Sequence, residues 1–293
     1  MKYLETKRLR VAYEHFGDSN APAIILVHGW PDDATTWKAV VPALVAKGFQ
    51  CFTPYLRGFG ETRFLSADIP RSGQLASLGQ DLIEFIEGLN LGAVHLVGHD
   101  WGARAVYNAT ALRPDLVRSL VTLSVGYGTN NPEQVMSFEQ TRMYWYHWLF
   151  ATERGRKMLL ADRKGFTKDL WKLWSPGWAF GEEEFEVSAK SFDNPDWLEI
   201  TLDSYCNRWG NSPNDPYYDD IHDKLMTAPK ITVPTTMLHG ESDGATLPET
   251  SANKEQFFTN VYKRMVLPNI GHFIQRESPQ VVIDEVLALV ANH

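Results

Sequence analysis

Residues 94–104 read VHLVGHDWGAR, and this stretch decides the architecture expected of the chain. A short apolar run ends at Gly98, Asp100 stands between two glycines, and a helix-compatible run continues over residues 103–112. The pattern predicts a strand, a sharp turn and a helix, because Gly98 and Gly102 let strand and helix approach more closely than side chains would permit. Asp100 is therefore expected at the tip of a turn, at one edge of a sheet.

A carboxylate at this position changes the chemistry that the turn can support. A strand–turn–helix of this form usually presents a serine, whereas this chain presents Asp100. A carboxylate that attacks an electrophilic carbon forms an ester, which favours opening an epoxide or displacing a halide. If Asp100 only capped the following helix, the glycine pair and the preceding strand would have no explanation. Asp100 is therefore predicted to be a nucleophile.

The composition is that of a globular protein and not of a nucleic-acid-binding one. The 293 residues are 44% hydrophobic and 22% charged, which suits one large α/β domain or a core with an inserted subdomain. A net charge of −8 argues against nucleic acids and anionic membrane surfaces as partners. Cys51 and Cys206 provide no disulfide framework, and their contexts lack metal-ligand spacing.

Localisation and partners are predicted from the N-terminus and the apolar runs. The first residues, MKYLETKRLR, lack the apolar core of a signal peptide, and no apolar run reaches transmembrane length. We therefore expect a cytoplasmic protein, monomeric or homodimeric, that acts on a small molecule without a metal or a cofactor.

Apolar runs and helical segments alternate in the first part of the chain, residues 1–126. This alternation predicts a mostly parallel, doubly wound sheet in an α/β fold. The expected strands are Leu9–Phe16, Ala23–Val27 and residues 49–53, 94–97 and 117–125, and the expected helices cover residues 35–47, 76–89 and 103–112.

The alternation stops in the middle of the chain, at residues 127–230, where the sequence is aromatic and helical. A stretch of this length is too long for a structureless loop, and we interpret it as a helical cap over the carboxyl edge of the sheet, where ligands bind in such folds. The core resumes over residues 231–293. There the expected strands are residues 233–239 and 264–267, and the expected helices are residues 249–258 and Pro279–Ala291.

A nucleophilic Asp100 needs a partner that activates water to cleave the ester. His272, in the loop after the last strand, is the candidate base, and Asp243, after the preceding strand, can hold its tautomer and stabilise its charged form. The order nucleophile, acid, histidine is typical of one hydrolase architecture. Glu241 and Asp219 are nearby acids that could replace Asp243, but order and spacing favour Asp243.

Together these residues resemble the α/β-hydrolase superfamily, and within it the epoxide hydrolases and haloalkane dehalogenases. The turn around Asp100, HGWP at residues 28–31, RGFG at residues 57–60 and GHF at residues 271–273 occur in the family's order, and the likeness spans nearly the whole chain. The resemblance implies an α/β-hydrolase fold whose helical cap is inserted after the strand that follows the nucleophile helix.

The resemblance also implies an oxyanion hole. In such folds the backbone N–H groups of the residue after His-Gly, here Trp30, and of the residue after the nucleophile, here Trp101, donate to the oxygen that becomes negatively charged. Trp30 and Trp101 are also predicted to bind substrate. His28 is expected to brace this turn, and Pro31 is a candidate for a cis peptide bond.

Two cap tyrosines bind and protonate the epoxide oxygen in epoxide hydrolases of this family, because the oxygen otherwise leaves as a costly alkoxide. Tyr146, in YHWLF at residues 146–150, looks like the first of them, with Tyr144 as the fallback and a further substrate-binding candidate. Tyr205, in YCNR, is similar to the second, although the family often has Arg where this chain has Cys206. The aromatic cap suggests a medium-sized, apolar or aromatic substrate.

Carbon–halogen chemistry is the alternative that the resemblance leaves open. Haloalkane dehalogenases share Asp100 and His272, and the indole N–H of Trp101 would hold the leaving halide, but they commonly have Asn in place of Trp30. Haloacid dehalogenases resemble the chain at Arg104 but have Arg in place of Trp101, and without that cation a carboxylate substrate is held poorly. Arg104 is then expected to be structural, paired with an acid beneath the cap. Both departures favour epoxides.

A third alternative uses the same pocket without hydrolysis. A small-molecule binder, or a cofactor-free lyase, on this fold would bind ligand and turn over no epoxide, haloalkane or ester.

Overall fold

The computed structural model describes residues 1–128 and 135–291. Its strands are β1 (Lys2–Glu5), β2 (Leu9–Phe16), β3 (Ala23–Val27), β4 (Gln50–Pro54), β5 (Arg63–Phe64), β6 (Val94–His99), β7 (Val117–Leu123), β8 (Thr235–Gly240) and β9 (Tyr262–Leu267). Its α-helices are α1 (Val41–Ala46), α2 (Leu75–Leu89), α3 (Trp101–Leu112), α4 (Phe138–Met143), α5 (Trp145–Phe150), α6 (Glu153–Trp174), α7 (Glu182–Ala189), α8 (Trp197–Arg208), α9 (Asp219–Met226), α10 (Ile274–Glu277) and α11 (Pro279–Ala291).

The strands form one mostly parallel sheet, as predicted. Their order is β1-β2-β4-β3-β6-β7-β8-β9, with β5 paired to β2. From β4 to β9 the neighbours run parallel, whereas β2 pairs antiparallel with β1, β4 and β5. The strands β3, β4, β6 and β8 are buried along their whole length, and this burial explains the continuous apolar sequence of β3.

One predicted helix is shorter than expected, and another is wrong. Residues 35–47 form a 3-10 turn at Ala34–Trp37 followed by the short α1, because Pro42 is tolerated only in the first turn of a helix. Residues 249–258 contain two 3-10 turns, separated where Asn253 adopts a left-handed φ of 56°. The strands β1 and β5 lie on the antiparallel edge and were not predicted, because four and two residues are too short for a clear alternation.

The strand–turn–helix around Asp100 forms as expected. A Cβ atom on Gly98 would lie 2.4 Å from the Gly102 carbonyl oxygen, and one on Gly102 would lie 2.1 Å from the Val27 carbonyl oxygen. Asp100 itself has a φ of 51° and a ψ of −112°, a strained conformation for a residue with a side chain. The glycines thus allow the close approach, and the strained turn lifts Asp100 above the sheet edge.

The helices α4–α9 lie between β7 and β8 in the chain and cover one end of the sheet. Their aromatic side chains belong to the same buried cluster as the core residues of β3 and α3. The predicted cap range includes residues 129–134 and the predicted final segment ends at residue 293, and residues 129–134 and 292–293 lie outside the described residues. In the described part of the chain, no helix combines the length and the apolar character needed to span a membrane.

Candidate active site

Four loops at the carboxyl ends of parallel strands meet at one edge of the sheet. Trp30 follows β3, Asp100 follows β6, Asp243 follows β8 and His272 follows β9. Parallel strands end at the same edge, so residues far apart in sequence are brought together there. The structure brings together these four residues, which were singled out from the sequence.

The carboxylate of Asp100 is held by the turn after β3. The Trp30 backbone N–H donates to Asp100 Oδ1 at 2.9 Å. The Asp100 side chain retains 13% of its accessible surface, so one face of the carboxylate can still be reached. The Trp30–Pro31 peptide bond is cis.

Trp101 presents its two N–H groups differently from Trp30. Its backbone N–H, at the start of α3, forms no hydrogen bond to Asp100 in this structure. Its indole Nε1 is buried and has no acceptor among the described residues. The Trp101 ring lies 5.6 Å from that of Tyr205, between centroids, so this indole lies close to the cap.

His272 lies between the two carboxylates. Its Nδ1 lies 2.9 Å from Asp243 Oδ2 and 3.0 Å from Oδ1, and its Nε2 lies 3.8 Å from Asp100 Oδ2. Because a carboxylate only accepts hydrogen bonds, the proton of the neutral ring is on Nδ1 and the lone pair of Nε2 faces Asp100. This is the tautomer that a general base needs at that position.

The electrostatics of the His272–Asp243 pair favour a charged imidazole. Burial lowers the pKa of His272, but the charge and hydrogen bond of Asp243, with the charge of Asp100, outweigh it and raise that pKa above 6.5. Burial likewise raises the pKa of Asp243, but His272 and His239 lower it well below its ordinary value. Asp243 therefore stays ionised while His272 takes up and releases a proton.

Asp243 is the acid that reaches His272, and its own position is tightly held. Its Oδ1 accepts the backbone N–H groups of Ala245 and Thr246 at 2.8 and 2.9 Å. The two alternatives considered from the sequence, Glu241 and Asp219, are both exposed and form no contact with the imidazole.

Residues that the sequence did not single out hold the backbone of His272. The Ser175 hydroxyl, after α6, accepts the His272 N–H at 2.9 Å and donates to Glu277 at 2.6 Å. The His272 carbonyl accepts from the Ser124 hydroxyl at 2.7 Å and from His99 Nε2 at 2.9 Å. His99 thus helps to position the candidate base. Nothing in the local sequence of Ser175 indicates this role.

The rings of Tyr146 and Tyr205 pack edge to face, next to Trp30. Their ring centroids are 5.3 Å apart, and they lie 5.9 and 5.1 Å from that of Trp30. Burial raises both pKa values well above 10, and the Asp100 charge adds to this effect. Both phenols therefore keep their protons and can donate them.

Tyr144 does not share the ring contact that Tyr146 makes with Trp30. Its ring stacks on His147 at 4.2 Å and lies 6.1 Å from Trp209, and it makes no ring contact with Trp30 or Trp101. Among the two candidates for the first cap tyrosine, the packing favours Tyr146.

The turn after β3 is bonded to the cap at four successive residues. The Trp30 indole N–H donates to Thr201 at 2.9 Å, and the Trp171 indole N–H donates to the Pro31 carbonyl at 2.8 Å. The next two contacts join serine hydroxyls to carboxylates. Ser188 donates to Asp32 at 3.1 Å and Ser191 donates to Asp33 at 2.6 Å.

The core side braces the same turn. The Leu56 N–H donates to His28 Nε2 at 3.0 Å, and His28 Nδ1 in turn donates to the Gly29 carbonyl at 2.9 Å. His28 thus forms the bracing contacts expected of it from the sequence.

Metal coordination has no candidate group in the described part of the chain. No three His, Cys, Asp or Glu side chains lie close enough there to hold an ion together. The arrangement at Asp100 is one of acids, a base and hydrogen-bond donors.

Comparisons with known proteins agree with this geometry. Residues 22–279 match the model of the alpha/beta hydrolase fold family. Epoxide hydrolase A of Mycobacterium tuberculosis H37Rv is 32% identical over 98% of this chain and 95% of its own length. An epoxide hydrolase of Caballeronia sordidicola is 27% identical over 91% of this chain and 86% of its own. The crystal structure of a candidate epoxide hydrolase from Klebsiella pneumoniae superposes with a TM-score of 0.94, at 34% identity over 98% of this chain and 96% of that one.

Proposed function

The chain belongs to the α/β-hydrolase fold family, and we propose that it is an epoxide hydrolase that converts epoxides to vicinal diols through a covalent ester on Asp100. The identity to epoxide hydrolases over nearly the full length supports the reaction class. The arrangement of Asp100, His272 and the two cap tyrosines supports the mechanism.

The first step forms the ester. An Asp100 carboxylate oxygen attacks a ring carbon, the carbon–oxygen bond of the epoxide breaks, and the departing oxygen takes a proton from Tyr146 or Tyr205. Both hydroxyls are protonated at neutral pH because burial keeps their pKa values high. The indole N–H of Trp101 is a further donor on this side of the cavity.

The second step cleaves the ester. His272 Nε2 takes a proton from water, whose oxygen attacks the carboxyl carbon of Asp100, and Asp243 stabilises the imidazolium. The Trp30 N–H donates to the oxygen that becomes negatively charged, as it does to Oδ1 in the free protein. The bond between the carboxyl carbon and the ester oxygen, which came from Asp100, then breaks, and the diol leaves with that oxygen and a proton from His272. The oxygen of the water remains in Asp100, and the second proton of the water restores the tyrosine hydroxyl.

One observation carries this proposal. The two oxygens of a single carboxylate face different partners, since Oδ1 accepts the Trp30 N–H at 2.9 Å and Oδ2 lies 3.8 Å from His272 Nε2. A carboxylate so placed between a donor and a base suits both formation and hydrolysis of an ester.

Dehalogenation is less well supported by the same site. A halide needs two convergent donors, and the indole N–H of Trp30 is already bonded to Thr201 at 2.9 Å. Trp101 alone remains on the core side, whereas two tyrosine hydroxyls suit an oxygen leaving group. A small-molecule binder without catalytic activity would have no use for the Asp243–His272 pair directed at Asp100.

The helices between β7 and β8 act as the cap in this proposal, with residues 1–126 and 231–293 as the core. A small-molecule substrate agrees with the enzymes to which the chain is similar. A cytoplasmic location and a monomeric or homodimeric state stay predictions of the sequence.

The test is a single-turnover reaction with a panel of epoxides in heavy-oxygen water, followed by mass analysis of the peptide that contains Asp100. We expect one heavy oxygen in Asp100 and none in the diol of the first turnover. Protein kept in the same water without an epoxide is the control. Diol that carries the label while Asp100 does not would show direct attack by water and refute the ester.

A further inference from the structure

Arg208 lies beside the cap tyrosine that faces the nucleophile. It is the last residue of α8, three positions after Tyr205, so the two side chains share a face of that helix. The guanidinium carbon lies 5.0 Å from the centroid of the Tyr205 ring. A group bound by Arg208 would therefore be next to the ring of the tyrosine that is proposed to contact the epoxide.

Two donors of this guanidinium are buried without an acceptor. Nε and Nη2 of Arg208 have no hydrogen-bond partner among the described residues. Removing such N–H groups from water without an acceptor is costly, which is why buried polar atoms are nearly always paired. The cost is recovered when a ligand supplies the acceptors.

The geometry of these two donors selects a particular acceptor. Nε and Nη2 form one edge of the guanidinium, and this edge matches the two oxygens of a carboxylate. Three other arginines of the chain use it in that way. In Arg57, Nε and Nη2 donate to Asp81 at 2.7 and 2.7 Å. In Arg113 they donate to Asp115 at 2.8 and 2.7 Å, and in Arg276 to Asp32 at 2.9 and 2.6 Å.

His147 presents a second unpaired donor beside Tyr205. The Trp209 indole N–H donates to its Nδ1 at 3.1 Å, so the proton of the neutral ring is on Nε2. Nε2 is buried and has no partner among the described residues, and the ring centroid lies 4.4 Å from that of Tyr205. Burial and then the charges of Arg208 and Arg104 lower the pKa of His147 well below 6.5, so the ring stays neutral.

The surroundings of Arg208 also carry positive charge. Arg104, one turn after Asp100 in α3, is buried, and burial together with the charge of Arg208 lowers its pKa to about 10. The side of Tyr205 next to Arg208 thus carries donors of Arg208 and His147 that lack acceptors among the described residues, and an anion bound there would supply an acceptor.

We propose that Arg208 binds a carboxylate carried by the substrate, so that the preferred substrates are epoxides of carboxylic acids. The inference rests on the proposed epoxide hydrolysis and names its substrate class. It differs from the expectation of the sequence, in which no cation beside the nucleophile served a carboxylate substrate. The cation is instead Arg208, at the end of α8, which lies next to Tyr205.

The test compares two epoxides that differ in charge and little in size, 4-oxiranylbenzoate and 4-oxiranylbenzamide. The KM of the wild-type protein is expected to be lower for the acid than for the amide. Arg208→Gln should raise the KM for the acid by about tenfold to a hundredfold, the effect of losing a charge-assisted hydrogen-bond pair, and should affect the amide far less. Arg156→Gln is the matched control, because its ion pair with Glu199 lies at the surface of the cap.

A conservative variant separates binding from folding. Arg208→Lys keeps the charge but loses the two parallel donors Nε and Nη2. Compared with Arg208→Gln, it should recover part of the affinity for the acid. It should recover none of the preference for planar carboxylates over sulfonates. A purely structural arginine would instead affect the acid and the amide alike.

A binding measurement keeps the two proposals distinguishable. Calorimetry with 4-ethylbenzoate, which has no epoxide, should show binding to the wild-type protein and at least tenfold weaker binding to Arg208→Gln. Equal losses for acid and amide, or a wild-type preference for the amide, would overturn the carboxylate site and leave epoxide hydrolysis intact. Binding of 4-ethylbenzoate that depends on Arg208, without turnover of any epoxide, would refute the reaction and retain the site.

Discussion

His272 Nε2 lies 3.8 Å from Asp100 Oδ2, beyond hydrogen-bond distance, while its Nδ1 is held by Asp243 at 2.9 Å. The imidazole is thus oriented towards the nucleophile without being bonded to it. This separation suits a base that acts on water in the second step and leaves the first step to Asp100 and the tyrosines.

Replacing the base His272 should allow the ester to form but slow its hydrolysis. In His272→Gln, Asp100 can still attack the epoxide, but steady-state turnover should fall by roughly 10²–10⁴, the usual contribution of a general base. Intact-mass spectrometry should then show protein heavier by one epoxide molecule. Asp100→Ala is the control and should form no adduct. A His272→Gln protein that neither reacts nor accumulates ester would mean that His272 acts in the first step.

Hydrolysis of the ester should depend on pH through His272. Because the pKa of His272 is raised and the ring must be neutral to accept a proton, the rate should fall as pH falls through that raised value. Asp243→Asn removes the charge that raises the pKa, so the acidic limb of the rate profile should move to lower pH while the maximal rate decreases. Asp219→Asn, an exposed acid, should leave the profile where it is. A limb unmoved in Asp243→Asn would assign the titration to another group.

Loss of the phenolic hydroxyls should slow ester formation. Tyr146→Phe and Tyr205→Phe are each expected to lower its rate, and the double variant should approach the roughly 10²–10⁴ that proton donation contributes. Quenching of tryptophan fluorescence in rapid mixing experiments follows this step, because Trp30 and Trp101 adjoin Tyr205. Tyr144→Phe tests the alternative. If it slowed the reaction more than Tyr146→Phe did, the first tyrosine would be Tyr144.

Two arginines with similar contacts should differ in their effect on stability. Arg57 is fully buried and binds Asp81 through both oxygens, whereas Arg113 binds Asp115 in the same way at the surface. Arg57→Met should lower the free energy of unfolding by about 3–5 kcal/mol, since Asp81 is left as an unpaired buried charge. Arg113→Met should lower it by about 0–1 kcal/mol. Urea unfolding measures both, and similar losses would mean that burial does not decide the difference.

The features predicted from the sequence were local. The glycine pair, the nucleophile between them and the order of acid and base each follow from a few neighbouring residues, and the structure brings Asp100, Asp243 and His272 together. The helix predicted at residues 35–47 shows the limit of such patterns. Only Val41–Ala46 forms an α-helix there, because Pro42 is tolerated only in the first turn of a helix.

Contacts that arise when distant segments meet were not predictable. Ser175 and His272 are 97 residues apart, and Trp30 and Thr201 are 171 residues apart. No periodicity or motif marks a serine after a cap helix as a support for a catalytic loop. The same holds for Arg208, whose two unpaired donors are recognisable only because the structure shows that its Nε and Nη2 atoms are buried.

The four contacts between residues 30–33 and the cap bear on how this enzyme could be re-engineered. Exchanging helical segments between relatives is an obvious route to new selectivity. Here the backbone N–H of Trp30, proposed to stabilise the oxyanion, and the indole of Trp30 belong to one turn. The cap residues bonded to this turn are Thr201, Trp171, Ser188 and Ser191. A chimera that imports foreign helices must therefore import a compatible turn with them, because recognition and chemistry share the same piece of backbone.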